Sequence, residues 1–173
     1  MTAASVTVAA LYYIYNLRIS NRISRITLTS SMLQKIVTKE ELKDYVELLN
    51  DDWNNYEDFL KKYNEGNSEA WAHSRVFFYY YDTLGYLLMD NVVDRRTLYT
   101  GGGGGIAVLR LWAKFWPIFK EVRASGPVDY MKGFEYLFYE MARTRDRLDP
   151  LFEKGNPAAY SLYKSGEYKA PYS

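Results

Sequence analysis

Side chains that commonly carry catalysis or bind metals are scarce in this sequence. Its 173 residues include no cysteine and a single histidine, His73. The absence of thiols excludes disulfides, thiolate metal sites and a cysteine nucleophile, and one imidazole cannot supply the two histidines of a di-iron site in a helical bundle. Glu69 would share a helix face with His73, because it lies four residues earlier. A histidine at the surface or in the core, beside Trp71, is the simpler interpretation.

A run of five glycines, Gly101–Gly105, invites comparison with phosphate-binding loops. A P-loop continues after its last glycine with a lysine and a hydroxyl residue, whereas Ile106 and Ala107 follow here. No serine occupies the G-x-S-x-G context of a nucleophile elbow, and the paired carboxylates lie in solvent-facing helical patterns. We therefore predict that the protein is not an enzyme and has no catalytic, cofactor-binding or metal-binding residues.

Composition and charge restrict the classes of protein to which this chain can belong. The formal net charge of +1 argues against a nucleic-acid-binding protein held by phosphate neutralisation. The length fits one domain, and the charged fraction of 25% is that of a globular chain. The strongest deviation is the aromatic fraction of 17%, which includes 18 tyrosines. Tyrosine and tryptophan dominate the energetics of protein interfaces, so this excess favours a protein that binds other proteins.

The first 17 residues carry no charge. A transmembrane helix needs about 17–25 mostly apolar residues, so this segment lies at the lower limit. Tyrosines precede the first arginine, where an interfacial aromatic belt would lie, and arginines follow with no acidic residue before Glu40. By the positive-inside rule, this predicts a single-pass membrane protein with its N-terminus outside and its C-terminal domain in the cytoplasm. The residues predicted to form the membrane anchor and its interface are Leu11, Tyr12, Tyr13, Tyr15, Arg18, Arg22 and Arg25.

Residues 2–10 are small and weakly hydrophobic, which leaves several interpretations of the segment open. Small residues four positions apart, such as Ser5 and Ala9, let another helix approach closely, so the segment would pack against other membrane helices. The chain as given could also begin inside a longer apolar segment. Alternatively, the segment is an interfacial helix, or it is the buried first helix of a soluble bundle.

The patterns along the chain predict an all-α fold. An N-terminal transmembrane or membrane-associated helix continues into a bundle of about five helices, and an extended tail follows. The predicted divisions are a membrane anchor at residues 1–17, a basic amphipathic stalk at 18–37, a helical bundle at 38–150 and a tyrosine-rich tail at 151–173. Four aromatic residues on the later helices are predicted to serve the core and interactions: Trp112, Trp116, Phe134 and Tyr136.

Local signals predict where the helices begin and end. Thr38 and Glu41 match a capping box, which starts a helix that continues to Gly66. Ser68 is a good N-cap for a long helix through Asp90. The remaining predicted features are a cap at Asp94 for a short turn, a flexible connection at Gly101–Gly105, a kink or restart at Pro117 and an end at Asp149–Pro150.

The order of these features resembles a known family. Its most specific parts lie in LRLWAKFWPIFKEVR, at Leu111–Trp112 with Phe115, and in YMKGFEYLFYEMA, at Phe134–Leu137. Together with the apolar start, the basic stalk and the aromatic third helix, they resemble an uncharacterised family, a domain of unknown function, of small bacterial and archaeal membrane-anchored helical proteins. The resemblance covers about residues 5–142. It implies the helical fold and the anchor, but it implies no catalytic residue, because the matching positions are mainly packing residues.

Two functional hypotheses follow. In the first, the protein is a non-catalytic, membrane-anchored accessory or scaffolding subunit that mediates protein–protein interactions in a membrane protein complex. Its partners are then membrane lipid and other membrane-protein subunits, with self-association as a further option, and it binds no nucleic acid and no cofactor. In the second, it is a soluble helical binding module that homo-oligomerises, with its first helix buried in its own bundle.

Overall fold

The computed structural model describes residues 3–35, 38–63, 68–101 and 104–148. Within these ranges the chain forms seven α-helices and no strand. The helices are α1 (Ala3–Gln34), α2 (Lys39–Asn50), α3 (Tyr56–Lys62), α4 (Ser68–Met89), α5 (Arg95–Thr100), α6 (Gly104–Ser125) and α7 (Lys132–Leu148). The prediction of an all-α fold is confirmed. The predicted tail at 151–173 and the predicted ends at Gly66 and Asp149–Pro150 lie outside the described residues.

The helix expected from Thr38 to Gly66 is two helices, and that prediction was wrong. The capping box at Thr38 and Glu41 does start α2, but the chain is extended at Asp51 and a new cap at Asn55 starts α3. The ammonium group of Lys114 on α6 explains the break, since it donates hydrogen bonds to the carbonyl groups of Leu49, at 2.8 Å, and of Asp51. It thereby satisfies backbone acceptors that would otherwise be orphaned at the end of a helix.

The connection between α4 and α6 is also more ordered than the sequence indicates. Asp94 caps α5 as predicted, accepting a hydrogen bond from the backbone N–H of Thr97 at 2.8 Å. The expected flexible connection at Gly101–Gly105 is wrong for its last two residues, because Gly104 and Gly105 begin α6. Pro117 does not restart the helix, since α6 continues through it to Ser125.

The segments predicted to be an anchor and a stalk lie on one helix. α1 runs without interruption from Ala3 to Gln34. At 1.5 Å per residue, a helix of 32 residues is about 48 Å long. The segments predicted to be the anchor and the stalk are therefore two parts of one continuous helix.

The core is built from aromatic rings on α4, α6 and α7. Phe115, Phe119 and Phe134 are almost wholly buried, as is Trp112. The Trp112 ring packs against Phe134 at 5.0 Å and against Phe138 at 5.9 Å between centroids. Such ring pairs add about 0.5–1.5 kcal/mol each beyond the area they bury, so this cluster is the main source of tertiary stability.

α4 and α7 cross at two glycines. A Cβ atom placed on Gly85 would overlap the carbonyl group of Gly133, and a Cβ on Gly133 would overlap the carbonyl oxygen of Asp82. The Asp82 side chain accepts a hydrogen bond from the backbone N–H of Phe134 at 3.0 Å, so it satisfies a donor in the first turn of α7. The absence of side chains at the two glycines is what allows the backbones to approach this closely.

The helix directions follow from contacts at successive positions. The start of α7 lies beside Asp82, and Glu140, about two turns later, pairs with Arg95 at the start of α5, so α7 runs in the same direction as α4. α1 runs the opposite way: its Met32 carbonyl accepts a hydrogen bond from Tyr80 in mid-α4, whereas its Arg25 reaches Val93 beyond the end of α4. The end of α4, α5 and the end of α7 therefore lie on the side toward which α1 extends.

The crossing predicts an unusual response to alanine. In a helix interior, glycine to alanine normally stabilises by about 0.5–1 kcal/mol. At Gly85 the added methyl group has no space, so we expect Gly85→Ala to lower the free energy of unfolding by about 3 kcal/mol, at the upper end of overpacking costs. Urea unfolding followed by circular dichroism measures the change. Gly126→Ala, at an exposed turn, is the control, and equal effects at the two glycines would contradict the close crossing.

Candidate interaction surface: the projecting part of α1

α1 is attached to the rest of the domain through its C-terminal third. Arg25 donates a hydrogen bond to the carbonyl oxygen of Val93 at 2.9 Å. The buried hydroxyl of Thr29 accepts one from the backbone N–H of Asp94 at 2.8 Å and donates one to the Arg25 carbonyl at 2.6 Å. Met32, through its carbonyl, holds the hydroxyl of Tyr80 at 2.8 Å. These polar contacts fix the position of α1 along its own axis.

Charge strengthens the same attachment. Burial alone would raise the pKa of Asp94, but hydrogen bonds from Thr97 and the positive charges of Arg25 and Arg22 outweigh it and hold the pKa below its ordinary value. The carboxylate therefore remains ionised beside α1. The cap of α5 and the docking of α1 thus depend on one aspartate.

The preceding part of α1 projects away from this attachment. From Ala3 to Ser24 it is about 33 Å long at 1.5 Å per residue. Its large apolar side chains are between 40% and 68% exposed. They are Val6, Val8, Leu11, Tyr12, Tyr13, Ile14, Tyr15, Leu17, Ile19 and Ile23. An apolar helix with this exposure is incomplete by itself, because such surface is normally covered by lipid or protein.

The apolar surface has no polar side in its central turn. Leu11, Tyr12, Tyr13 and Ile14 are consecutive and all exposed. Successive residues of an α-helix are separated by about 100°, so these four side chains surround the helix axis. A helix that lies in a membrane interface keeps a charged or polar face toward water. Residues 11–14 provide no such face.

The predicted anchor residues divide between the two parts of α1. Leu11, Tyr12, Tyr13 and Tyr15 lie on the projecting part and are exposed, and so are Arg18 and Arg22. Arg25 was predicted to be an interface residue as well, but it is half-buried and bonded to Val93. Its guanidinium group reaches a backbone carbonyl just after α4 and so helps to attach α1 to the domain.

The aromatic residues predicted to combine core and interaction roles lie in or against the core. Trp112 and Phe134 are almost wholly buried, while Trp116 and Tyr136 are half-buried and pack against the core. Trp116 stacks on Trp112 at 5.4 Å and lies under the guanidinium group of Arg123. Their aromatic surface is used within the domain. Of the five exposed aromatic side chains among the described residues, three lie on α1 and two, Tyr79 and Tyr86, lie on α4.

Within the described ranges, no helix combines the length and the hydropathy of a membrane span. The second hypothesis includes burial of α1 in its own bundle, and this burial is not observed for residues 6–24, because each of them is exposed. The structure therefore leaves this segment without a covering surface from its own described residues.

One cluster of potential metal ligands occurs in the part of the chain that the structure describes. Asp44 and Glu47 on α2 and His73 on α4 bring one ligand atom each within 4.8 Å of one another. Within this cluster, His73 pairs with Asp44 at 3.7 Å. Glu47 is exposed and pairs with Lys43 at 3.5 Å. Such a surface group fits a solvated ion-pair network as well as it fits a metal site.

Elemental analysis tests this cluster directly. We expect protein purified without added metal to contain no stoichiometric transition metal, because Glu47 already pairs with Lys43 and Asp44 with His73. His73→Ala is the matched variant. Stoichiometric zinc that disappears in this variant would contradict the prediction that the protein has no metal-binding residues.

A small pocket lies between α3, α4 and α6. Its volume is about 180 Å³, and its lining includes Phe59, Phe78, Phe119, Tyr130 and Arg75. Arg75 already donates a hydrogen bond to the hydroxyl of Tyr130. Ligand sites usually have volumes of about 300–1,000 Å³, so this pocket does not indicate a substrate site.

The electrostatic link at Asp94 predicts a specific pH dependence. Asparagine caps helices as well as aspartate does, so Asp94→Asn keeps the cap and removes only the charge. Because the pKa of Asp94 is lowered by folding, its carboxylate stabilises the fold above the unfolded pKa of about 4, and this contribution is lost as the pH falls through the folded pKa. We expect the variant to be less stable than the wild type at neutral pH, with a difference that vanishes in acid.

Urea unfolding at a series of pH values measures that difference. Comparing the two proteins is essential, because burial raises the pKa of both Asp82 and Glu135. Those two carboxyl groups stabilise the fold as the pH falls, which is the opposite slope. A difference between variant and wild type that stays constant from neutral to acidic pH would show that Asp94 does not act through its charge.

The comparisons with known proteins assign the chain to a family. No curated protein and no solved structure matches it. A family model, described as a domain of unknown function, matches residues 2–141, which confirms the resemblance to an uncharacterised family. This match includes the whole of α1 as well as the crossing of α4 and α7. The chain therefore belongs to the family described as Domain of unknown function (DUF4760).

Proposed function

We propose that this protein is a non-catalytic, membrane-anchored accessory or scaffolding subunit. In this proposal, the projecting part of α1 is covered by lipid and by helices of other membrane subunits, and the helical domain is held at the cytoplasmic face. The observation that carries it is the exposure of ten large apolar side chains on residues 6–23. Burying a Val, Leu or Ile side chain fully is worth about 1.5–3 kcal/mol, so the driving force to cover this segment is large.

The surroundings of the segment support a membrane over water. The uncharged residues end at Leu17, exposed tyrosines precede that point, and exposed Arg18 and Arg22 follow it. Tyrosine prefers the level of the lipid headgroups, and arginine prefers the cytoplasmic side. The apolar and aromatic side chains at residues 11–14 surround the helix, so they suit the boundary between the hydrocarbon and the headgroups on every side.

Packing against helices of partner subunits would compensate for the short length of the uncharged segment. Seventeen uncharged residues lie at the lower limit for crossing the hydrocarbon core. The sequence at Ser5 and Ala9 offers small residues four positions apart, which allow close helix packing. A segment that packs against neighbouring helices is less dependent on its own hydropathy, and this favours an accessory subunit of a larger membrane complex.

The shortness of the same segment favours a second candidate, a helical module that homo-oligomerises through α1. In this case the exposed residues of α1 would cover those of a second copy. The contact would be between chains, because α1 does not fold back onto its own domain. Membrane binding and self-association without membrane therefore distinguish the two candidates.

Deletion of residues 2–17 tests the main proposal. These residues lie beyond the attachment at Arg25 and Thr29, so we expect the shortened protein to fold with unchanged α-helical circular dichroism per residue of the domain. We also expect it to move from the membrane fraction to the soluble fraction of the cell. A full-length protein that is monomeric and soluble without detergent would rule out the proposal.

Point variants test the same step without shortening the chain. Leu11→Lys with Ile14→Lys places two charges on the projecting part, where each costs up to about 2.5–3.5 kcal/mol at a bilayer centre and less near the headgroups. We expect this pair to lower membrane retention strongly. The control is Leu42→Lys with Val76→Lys, two comparably exposed apolar positions on α2 and α4, which we expect to leave retention unchanged. If instead the α1 variant stays in the membrane fraction, or only dissociates an oligomer in solution, the second candidate is favoured.

A further inference from the structure

The end of the domain from which α1 projects is rich in arginine. Eight arginines from three separate helices lie at this end, because α4 and α7 run toward it and α1 leaves from it. They are Arg18, Arg22 and Arg25 on α1, Arg95 and Arg96 on α5, and Arg143, Arg145 and Arg147 on α7. The sequence shows these residues as three unrelated groups, and only the packing of the helices brings them to one end.

Half of these arginines are bonded to groups of the domain itself. Arg25 donates to the Val93 carbonyl. Arg95 and Arg143 both pair with the buried carboxylate of Glu140. The remaining internal pair joins Arg145 to Asp146 at 2.6 Å. The pair between Arg95 and Glu140 holds α7 against α5, and the three ion pairs together occupy the carboxylates of Glu140 and Asp146.

The other four arginines are exposed: Arg18, Arg22, Arg96 and Arg147. Among the acidic residues near them, Asp94 is bonded to Thr97, and Glu140 and Asp146 are engaged as described. Asp90 is the exposed carboxylate in the turn after α4. The eight arginines at this end outnumber the four carboxylates of Asp90, Asp94, Glu140 and Asp146, so this surface has a net positive charge.

We propose that Arg18, Arg22, Arg96 and Arg147 form a surface that binds the phosphate headgroups of anionic lipids. This proposal rests on the proposed function, because insertion of α1 is what brings this end of the domain to the bilayer. A guanidinium group matches a phosphate with two parallel hydrogen bonds. The surface lies next to the apolar part of α1 along the chain. Its positive charge is complementary to the negative charge of an anionic leaflet.

The position of the arginines fits a lipid surface better than an acidic protein segment. They are contributed by three helices at the end of the domain from which α1 projects, which is the end that insertion of α1 would bring to the bilayer. Charges near an anionic membrane act additively and are screened by salt over about 10 Å at 0.1 M ionic strength. The surface would thereby set how closely the domain is held to the bilayer.

Vesicle binding by the full chain tests the proposal. Purified protein is mixed with vesicles of phosphatidylcholine alone, or of phosphatidylcholine with phosphatidylglycerol, and the bound fraction is measured by flotation. The test variant carries Arg22→Gln, Arg96→Gln and Arg147→Gln, one change in each of α1, α5 and α7. The control carries Lys43→Gln, Lys61→Gln and Lys120→Gln, three exposed cations on α2, α3 and α6, which lowers the net charge equally.

The expected result is tighter binding to the anionic vesicles by the wild type and by the lysine control. Each arginine near an anionic surface is worth about fivefold in affinity, so the arginine variant should lose on the order of a hundredfold on anionic vesicles and little on neutral ones. High salt should remove the wild-type preference. Circular dichroism verifies that each variant is folded.

Other outcomes separate this proposal from the proposed function. Equal binding of the wild type to neutral and anionic vesicles would overturn the lipid surface while leaving the anchor intact. The same is true of an equal loss in the arginine variant and the lysine control. A loss of self-association with unchanged vesicle binding would assign the surface to a protein partner and overturn the proposal. Absence of binding to either vesicle would contradict the proposed function itself.

Discussion

The close crossing of α4 and α7 is the constraint on which the other parts of the structure depend. Two glycines let the backbones meet, and Asp82 fixes their register by accepting a hydrogen bond from the N–H of Phe134. This register places Trp112 and Phe138 against each other in the core. It also carries the C-terminal half of α7 to α5, because a rigid helix transmits the position of its first turn to its last. The aromatic core and the arginine-rich end therefore follow from one contact.

α1 is attached to the domain that is built around the crossing of α4 and α7. Its C-terminal third is held by specific hydrogen bonds to the turn after α4, through Arg25 and Thr29. A helix fixed at one end and continuous for 32 residues must carry its other end away from the domain. The polar docking and the apolar projection are therefore complementary. The polar contacts give α1 a defined direction. The exposed apolar residues give it a surface, which a membrane or partner helices would cover in the proposed function.

The aromatic residues show that a high aromatic content can serve the core of a domain and not only its surface. The tyrosine and tryptophan content favours interaction surfaces, yet Trp112, Phe134 and their neighbours fill the domain's own core. Trp53 gives the same lesson, since the break between α2 and α3 lets its ring pack on Phe115 at 5.0 Å and under Lys114. Among the described residues, three of the five exposed aromatic side chains lie on α1, and this is why the proposed interaction is assigned to that helix.

The sequence by itself determined the features that depend on neighbouring residues. The all-α class, the cap at Thr38 with Glu41, the cap at Asp94 and the apolar start are local patterns, and the structure contains each of them. Only the tertiary structure decided the break before Asn55, the docking of Arg25 and the gathering of arginines at one end. Each of these depends on groups far apart in the chain, such as Lys114 with Leu49 or Arg95 with Glu140. Periodicity and capping signals describe a helix alone, whereas long-range contacts are set by how helices pack.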